Sequence, residues 1–555
     1  MLKPLPIGQL AEQLKLTRDD VEPFGWYKGK LAFGLDRRLP GRDGTRYVGV
    51  TAISPTPFGE GKTVTAIGLA MALCREGRPA IVSLRQPSQG PVFGIKGGGA
   101  GGGAATLWPT DDINLHFTGD LHAVTAAHNL LAALVDNHVK RRQLPLIAPH
   151  SITWRRVIDL NDKGLAHIIT GLDDVPQAPL RETGFDLTAS SEVMAILALA
   201  DGLSDLRHRL GRIIVGESPS GEPVSVEAIG ATGAMAALLH DAIRPNLVQT
   251  CEQTAAFVHA GPFANIAHGN SSVVADLAAV RLADYVVTES GFGADCGAEK
   301  FFNIKCRVSG LRPSAEVLVC TIRALKYQSG RHALPPGQPI PAWFLEEDVE
   351  AISAGSVNLQ AHLEILRRFG VPTVVALNRF PSDTDREIET VRRLALDFGA
   401  ASFAVTEAFS QGGAGAIELA RAVVDACELP NQFKFLYPLD MPIEEKLSTV
   451  VRDVYGGDGV EIQPLARRRI AQFREWGFEH LPVCIAKTQY SLSHDPARLG
   501  RPRGFQLPIR DIRLAAGAGF LYALTGEIST MPGLPRDPAA LRIGVNDDGT
   551  ITGIG

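Results

Sequence analysis

The stretch at residues 47–65, YVGVTAISPTPFGEGKTVT, constrains the fold of this chain more than any other. Its apolar, β-branched run from Val48 to Ile53 predicts a buried strand, and Pro55 to Gly61 predicts a turn. A helix is expected to begin at Lys62-Thr63, with small and apolar residues continuing to Cys74. Strand, glycine-rich turn, Lys-Thr and helix together form the layout of a phosphate-cradling loop. Glycines let backbone N–H groups approach the phosphates, the helix N-terminus attracts their charge, and a lysine neutralises the outer oxygens. Thr56, Pro57, Gly59, Glu60, Gly61, Lys62 and Thr63 are therefore the candidate nucleotide contacts, with the Thr63 hydroxyl suited to Mg²⁺. Thr56 stands where the first glycine of the usual G-x-x-x-x-G-K-T spacing would be. The alternative is a strand-to-helix turn with a purely structural role.

The rest of the chain repeats the strand and helix pattern. Ala80 to Leu84 reads as a second strand, which makes the first unit a strand–helix–strand crossover of a parallel sheet. Ligands in such sheets bind at the carboxyl ends of the strands. That places Arg85 on the same edge as the phosphate loop, unless it is an ordinary surface ion pair. Gly90 to Gly103, GPVFGIKGGGAGGG, is expected to be a loop whose backbone approaches a ligand, with Lys96 inside it, rather than a featureless linker. Ile113 to Phe117 is expected as a strand leading through Thr118-Gly119 into a helix that begins near Asp120, another acid on the ligand edge. His116, His122, His128 and His138 lack the spacing of a zinc site and read as structural. Phe292 lies between glycines just after the strand Tyr285 to Thr288. Phe380, with Pro381, and Phe409 each follow a predicted strand, where two aromatic faces could sandwich a planar ring.

The expected fold class is α/β and multi-domain. It comprises a P-loop-type nucleotide-binding domain with a mostly parallel sheet over residues 1–360, a second α/β domain over 361–455 and a small β-rich C-terminal domain over 456–555. A net charge of −5 and a pI near 6.3 give no support for nucleic-acid binding. The N-terminal residues lack the apolar core of a signal peptide, and no apolar run reaches the length of a membrane span. Seven cysteines without a C-x-x-C pair argue against a disulfide framework and a Cys-rich zinc site. A reduced, cytoplasmic enzyme acting on small molecules is the expectation, with neither nucleic-acid nor membrane partners.

Eight segments spread along the chain carry a resemblance: PTPFGEGKT, LRQPSQGPVFGIKGGGAGGG, DINLHFTGD, AFVHAGPFANIAHG, GFGADCGAEKFFNIKCR, ALNRFPSDT, LPVCIAKTQYSLS and LTGEISTMPGLP. In this order they resemble the formate–tetrahydrofolate ligase (formyltetrahydrofolate synthetase) family. The resemblance implies an enzyme that makes 10-formyltetrahydrofolate from formate, ATP and tetrahydrofolate through formyl phosphate. It also implies Mg²⁺ with the nucleotide, activation by K⁺ or NH₄⁺, and a homotetramer. Carried over by position, Lys62 and Thr63 hold phosphates and Mg²⁺, Arg85 holds formyl phosphate, Asp120 is the acid near the catalytic site, and Phe380-Pro381 borders the ring cleft.

The departures from the family pattern cluster. Gln86 stands where the family commonly has Glu, which bears on monovalent-cation binding at that position. Gln89, Ala104, Thr106, Asn270 and Ser271 also differ, and Phe409 replaces the tryptophan of the ring cleft. Two alternatives therefore stand beside the ligase reading. One is a divergent relative that activates another small carboxylate or uses a modified pterin; the other is a catalytically weak, nucleotide-binding regulatory protein.

Overall fold

Residues 46–52 form a strand that is buried on both faces, because its neighbours in space are strands on each side and helices above and below. The computed structural model describes residues 2–172, 179–331, 341–526, 528 and 530–554. Its main sheet has twelve strands. Ten lie on one path: β1 (Val21–Pro23), β2 (Gly29–Leu31), β3 (Arg46–Ala52), β4 (Ala80–Leu84), β5 (Asn246–Thr250), β6 (Ala255–Val258), β7 (Tyr285–Glu289), β8 (Ala315–Cys320), β9 (Thr373–Asn378) and β10 (Ser402–Thr406). Their order across the sheet is β1-β2-β5-β6-β4-β7-β3-β8-β9-β10. From β6 to β10 every pairing is parallel, so these carboxyl ends share one edge. The far end, β1-β2-β5-β6, is antiparallel.

Alternation along β3 assigns its side chains to two cores. Val48, Val50 and Ala52 pack on the face covered by the helix Lys62–Arg75, whose residues from Thr65 to Leu73 are all buried. Tyr47 belongs to the core on the opposite face, with Val286, Phe301 and Phe302. A helix enclosed in this way shows little amphipathic periodicity, which is why residues 62–74 read as uniformly apolar or small.

Several expectations change in detail. Ile113 to Phe117 is not a strand: Thr110–Asn114 is a short helix with Asp111 and Asp112 in its first turn, where carboxylates favour the helical dipole, and Phe117 takes a left-handed conformation (φ 50°). The first half of the Gly90–Gly103 segment is helical (Gln89–Pro91, then Val92–Lys96), and Gly101–Gly102 pairs with Ala105–Thr106. The division drawn at residue 360 falls inside the helix Val349–Phe369, and the strands beyond it, β9 and β10, hydrogen-bond into the same sheet as β3. Towards the C-terminus, β11 (Gly459–Ile462), β12 (Val483–Ala486), β13 (Gln506–Ala515) and β14 (Phe520–Thr525) form a separate four-stranded sheet in the order β11-β13-β14-β12.

Candidate functional site

The phosphate loop leaves β3 at Ile53 and enters the helix at Lys62. Gly59 and Gly61 both adopt positive φ, 77° and 76°, and a Cβ on Gly61 would overlap the Asn378 amide at the end of β9. Glu60 turns inward rather than toward a ligand: its Oε1 accepts the Thr56 amide at 2.8 Å, and its Oε2 accepts the Thr321 hydroxyl at 2.8 Å. Its carbonyl accepts Asn378 Nδ2 at 3.2 Å. Glu60 and Thr56 thus brace the loop, while Pro57 and Gly59 are exposed. The first-turn amides of the helix Lys62–Arg75 lack partners within the helix, as at any helix start.

Three neighbouring parallel strands, β4, β7 and β3, deliver the charged groups. Thr63 Oγ1 donates to Glu289 Oε2 at 2.7 Å, and Glu289 is the last residue of β7. Burial lowers the Lys62 ammonium below its ordinary value; Glu289 and Glu60 pull it back up, and Arg85 adds to the lowering. Burial likewise lowers Arg85, with Glu289 again the opposing charge. Arg85 is the first residue after β4, and its Nη1 donates to the Pro262 carbonyl at 3.1 Å. Glu289 therefore hydrogen-bonds Thr63 and is the nearby negative charge that acts on both Lys62 and Arg85. Sequence reasoning missed Glu289; the available signal was an apolar strand ending in an acid, YVVTE, on the ligand edge. A hydroxyl and a carboxylate side by side are hard oxygen donors of the kind Mg²⁺ takes, so Thr63 and Glu289 fit that ion.

The remaining predicted residues surround this centre in different ways. Phe292 holds a left-handed backbone (φ 61°), a strained choice for an aromatic residue, next to Gly291, where a Cβ would lie 2.9 Å from Arg85 Nη2. Gln86 is buried, with its amide N–H donating to Ala260 O at 2.7 Å and neither side-chain polar atom hydrogen-bonded. Both carboxyl oxygens of Asp120 are engaged: Lys30 Nζ donates at 2.8 Å and Asn246 Nδ2 at 2.7 Å, all within the interior. The side chain of Lys96 lies outside the described residues. Phe380 is half-buried with the Arg323 guanidinium 3.9 Å above its ring, so one face is already covered, and Pro381 is exposed. Phe409 is 59% exposed; its carbonyl accepts the Ala104 amide at 2.7 Å and its ring borders Gly102. Among the described residues the rings of Phe380 and Phe409 do not pair with each other. A cavity of about 430 Å³ opens behind the 261–269 loop, lined by Trp154, Glu192, Phe473, Arg513 and Tyr522, and no phosphate-loop residue reaches it.

Comparison with known proteins agrees over the whole length. A family model described as formate–tetrahydrofolate ligase matches residues 1–555. The chain is 52% identical over 549 residues to a formate–tetrahydrofolate ligase of Roseiflexus sp. (strain RS-1), covering 99% of this chain and 97% of that protein. It is 52% identical over 549 residues to that of Saccharopolyspora erythraea and 50% identical over 550 residues to that of Desulforamulus reducens, each covering 99% of this chain and 97% of the relative.

Proposed function

This chain belongs to the formate–tetrahydrofolate ligase family, and from that premise we propose that it joins formate to tetrahydrofolate at the expense of ATP, through formyl phosphate. The observation that carries the reading is the placement of the phosphate loop, with Lys62 and with Thr63 hydrogen-bonded to Glu289, on the same sheet edge as Arg85. A formate carboxylate is a poor acylating agent because oxide is a poor leaving group. Attack of a formate oxygen on the γ-phosphorus of ATP breaks the bond to ADP and converts that oxygen into part of a phosphate. The amine of tetrahydrofolate then attacks the formyl carbon, the C–O bond breaks, phosphate leaves and the N–H proton is released.

Negative charge spreads over the phosphoryl oxygens during the first step. Lys62 and Arg85 lie in a partly desolvated site where fixed positive charge acts strongly on it. Mg²⁺ held at Thr63 and Glu289 would supply further charge neutralisation at the phosphates. Arg85, anchored on the 261–269 loop, is assigned to the formyl phosphate, and Lys96 and Phe292 to the surrounding substrate pocket. Asp120 is assigned the role of a fixed charge that organises Lys30 and Asn246, since both of its oxygens are engaged. Phe409 and the Phe380-Pro381 segment are assigned to the acceptor ring; the open face of Phe409 supports this. Gln86 offers an amide oxygen, without a formal charge, to K⁺ or NH₄⁺. Exposed Ile169, Leu172 and Leu180, on or beside the strand pair Ile168–Thr170 and Arg181–Thr183, support self-association, and a homotetramer is assigned. No helix among the described residues is long and apolar enough to cross a membrane, and a cytoplasmic site is assigned.

The test uses formate labelled with ¹⁸O. Label appearing in inorganic phosphate, with ADP release that depends on formate and product that depends on tetrahydrofolate, is the expected result. ADP release indifferent to formate, or phosphate without label, would overturn the reading.

A further inference from the structure

The segment LPVCIAKTQYSLS has no part in the phosphate chemistry above, yet it buries a full charge. Lys487, the residue after β12, is completely buried, and its Nζ donates to Asp295 Oδ2 at 2.6 Å, to Thr488 O at 3.0 Å and to Ser491 O at 2.5 Å. All three ammonium protons therefore have acceptors. Asp295 lies in the helical turn Ala294–Ala298, just beyond β7 and Glu289, and its Oδ1 has no hydrogen-bond partner. Asp295 and His362 both flank Gly293, where a Cβ would meet Asp295 Oδ1 at 2.7 Å and His362 Cε1 at 3.1 Å.

His362 and Asn358 stand one turn apart on the helix Val349–Phe369, and both reach Ser54. Asn358 Nδ2 donates to Ser54 Oγ at 3.1 Å and to Gly500 O at 2.8 Å, while its Oδ1 accepts the Ser54 amide at 3.2 Å. His362 Nε2 lies 3.1 Å from the same Oγ. The Ser54 hydroxyl has one proton and two lone pairs, so it can pair with Nε2 in either tautomer while also accepting from Asn358. Neither His362 Nδ1 nor Asp295 Oδ1 has a hydrogen-bond partner, and no hydrogen bond or ion pair joins the two side chains, so Asp295 acts on the ring as a neighbouring charge. Burial keeps the ring neutral down to about 4. Ser54, Asp295, Asn358, His362 and Lys487 are all fully buried. A buried ion pair contributes little net stability compared with apolar packing, so its presence is better explained by position than by stability.

Ser54 is followed by Pro55 and is the residue from which the phosphate loop departs. We propose that Lys487 is a positioning residue for the nucleotide site: it fixes Asp295 beside the His362 ring, across Gly293, and His362 with Asn358 fixes Ser54 and so the start of the phosphate loop. The C-terminal sheet thereby becomes a support for ATP binding rather than only a wall. The inference rests on the ATP-dependent reading above.

The test measures the dissociation constant of Mg-ATP by calorimetry on the full chain, together with KM for each substrate and thermal stability. His362→Phe is expected to weaken Mg-ATP binding about tenfold, the equivalent of one lost hydrogen bond, and to raise KM for ATP while leaving KM for formate and tetrahydrofolate unchanged. His362→Gln, which retains an acceptor for Ser54, should recover most of that loss. Lys487→Met should weaken ATP binding as well, and combining it with His362→Phe should add little, since the two act in series. If Lys487→Met does not fold, the Phe and Gln variants at 362 decide alone. Lower thermal stability with unchanged ATP affinity, or a Gln variant no better than Phe, would overturn the inference. A wild type that binds no Mg-ATP would instead overturn the functional reading itself, and the two failures are distinguishable.

Discussion

Replacing Lys62 by Met should separate catalysis from folding. Among the described residues no hydrogen bond or close ion pair engages the ammonium, and burial already disfavours its charged form. Methionine keeps the apolar stem and removes a charge that the fold does not need, so no partner is left unsatisfied. Stability should change by no more than about 0.5 kcal/mol near neutral pH, as for substitutions that break no buried contact. The phosphoryl-transfer step loses a fixed charge aimed at the transferring group, which is worth about 3–4 kcal/mol, or roughly 10²–10³ in turnover. The pH dependence of stability carries its own sign. With the folded-state pKa below the ordinary value of about 10.5, the unfolded chain binds more protons between the two values, so the wild type gains stability as pH rises through that window. Any advantage of the Met variant should therefore shrink on the alkaline side. Coupled ADP release and calorimetric melting, run side by side on both proteins, make the comparison. Near wild-type turnover would remove Lys62 from the phosphate chemistry, and a large fall in melting temperature would make it a structural residue instead.

At Gln86, restoring a carboxylate with Gln86→Glu should strengthen activation by potassium in a sodium-free, large-cation buffer; strong saturable activation of the wild type at low potassium would contradict the role given to the missing charge. Phe409→Trp should lower KM for tetrahydrofolate by about 2- to 12-fold, matching an added stacking term of about 0.5–1.5 kcal/mol, with KM for ATP unchanged. Because Phe409 is 59% exposed, melting should be unaffected, and a stability loss without a kinetic change would take the residue out of the site. Glu299 is fully buried with one unbonded oxygen, and burial pushes its carboxyl up to about 7. Its folded-state value lies above the unfolded one, so the wild type loses stability as pH rises from about 4.5 through 7, and the melting advantage of Glu299→Gln should grow over that range toward a ceiling of roughly 3 kcal/mol. A gap independent of pH would show that the carboxyl is not protonated in the fold.

Local pattern alone was enough for the strands β3, β4, β7, β9 and β10 and the helix after the phosphate loop. A strand buried on both faces must be an apolar run, and a chain that turns from it into a helix at glycines shows the turn in its own residues. For the same reason Lys62, Thr63 and Arg85 were legible as edge residues: each follows directly from the strand or turn beside it. Local pattern failed where short segments are decided by their surroundings. Ile113 to Phe117 has the composition of a strand but lies in a helix and a turn, and the side-chain partner of Glu60, Thr321, lies far away in sequence.

What only the tertiary structure decided is which distant groups share a charge. Glu289 reaches Thr63 because β7 inserts between β4 and β3, and no spacing within either segment encodes that insertion. Asp120 looked like a free acid on the ligand edge until Lys30, on the antiparallel flank of the sheet, met it across the fold. Residues 361–406 looked like a fresh start because their pattern repeats, yet their strands extend the existing sheet, since parallel pairing requires only a matching edge and not adjacency in the chain. Periodicity and turn chemistry act over a few residues and can be read from the sequence. Strand order and the pairing of buried charges are set by which surfaces meet when the whole chain packs, and they exist only in the folded molecule.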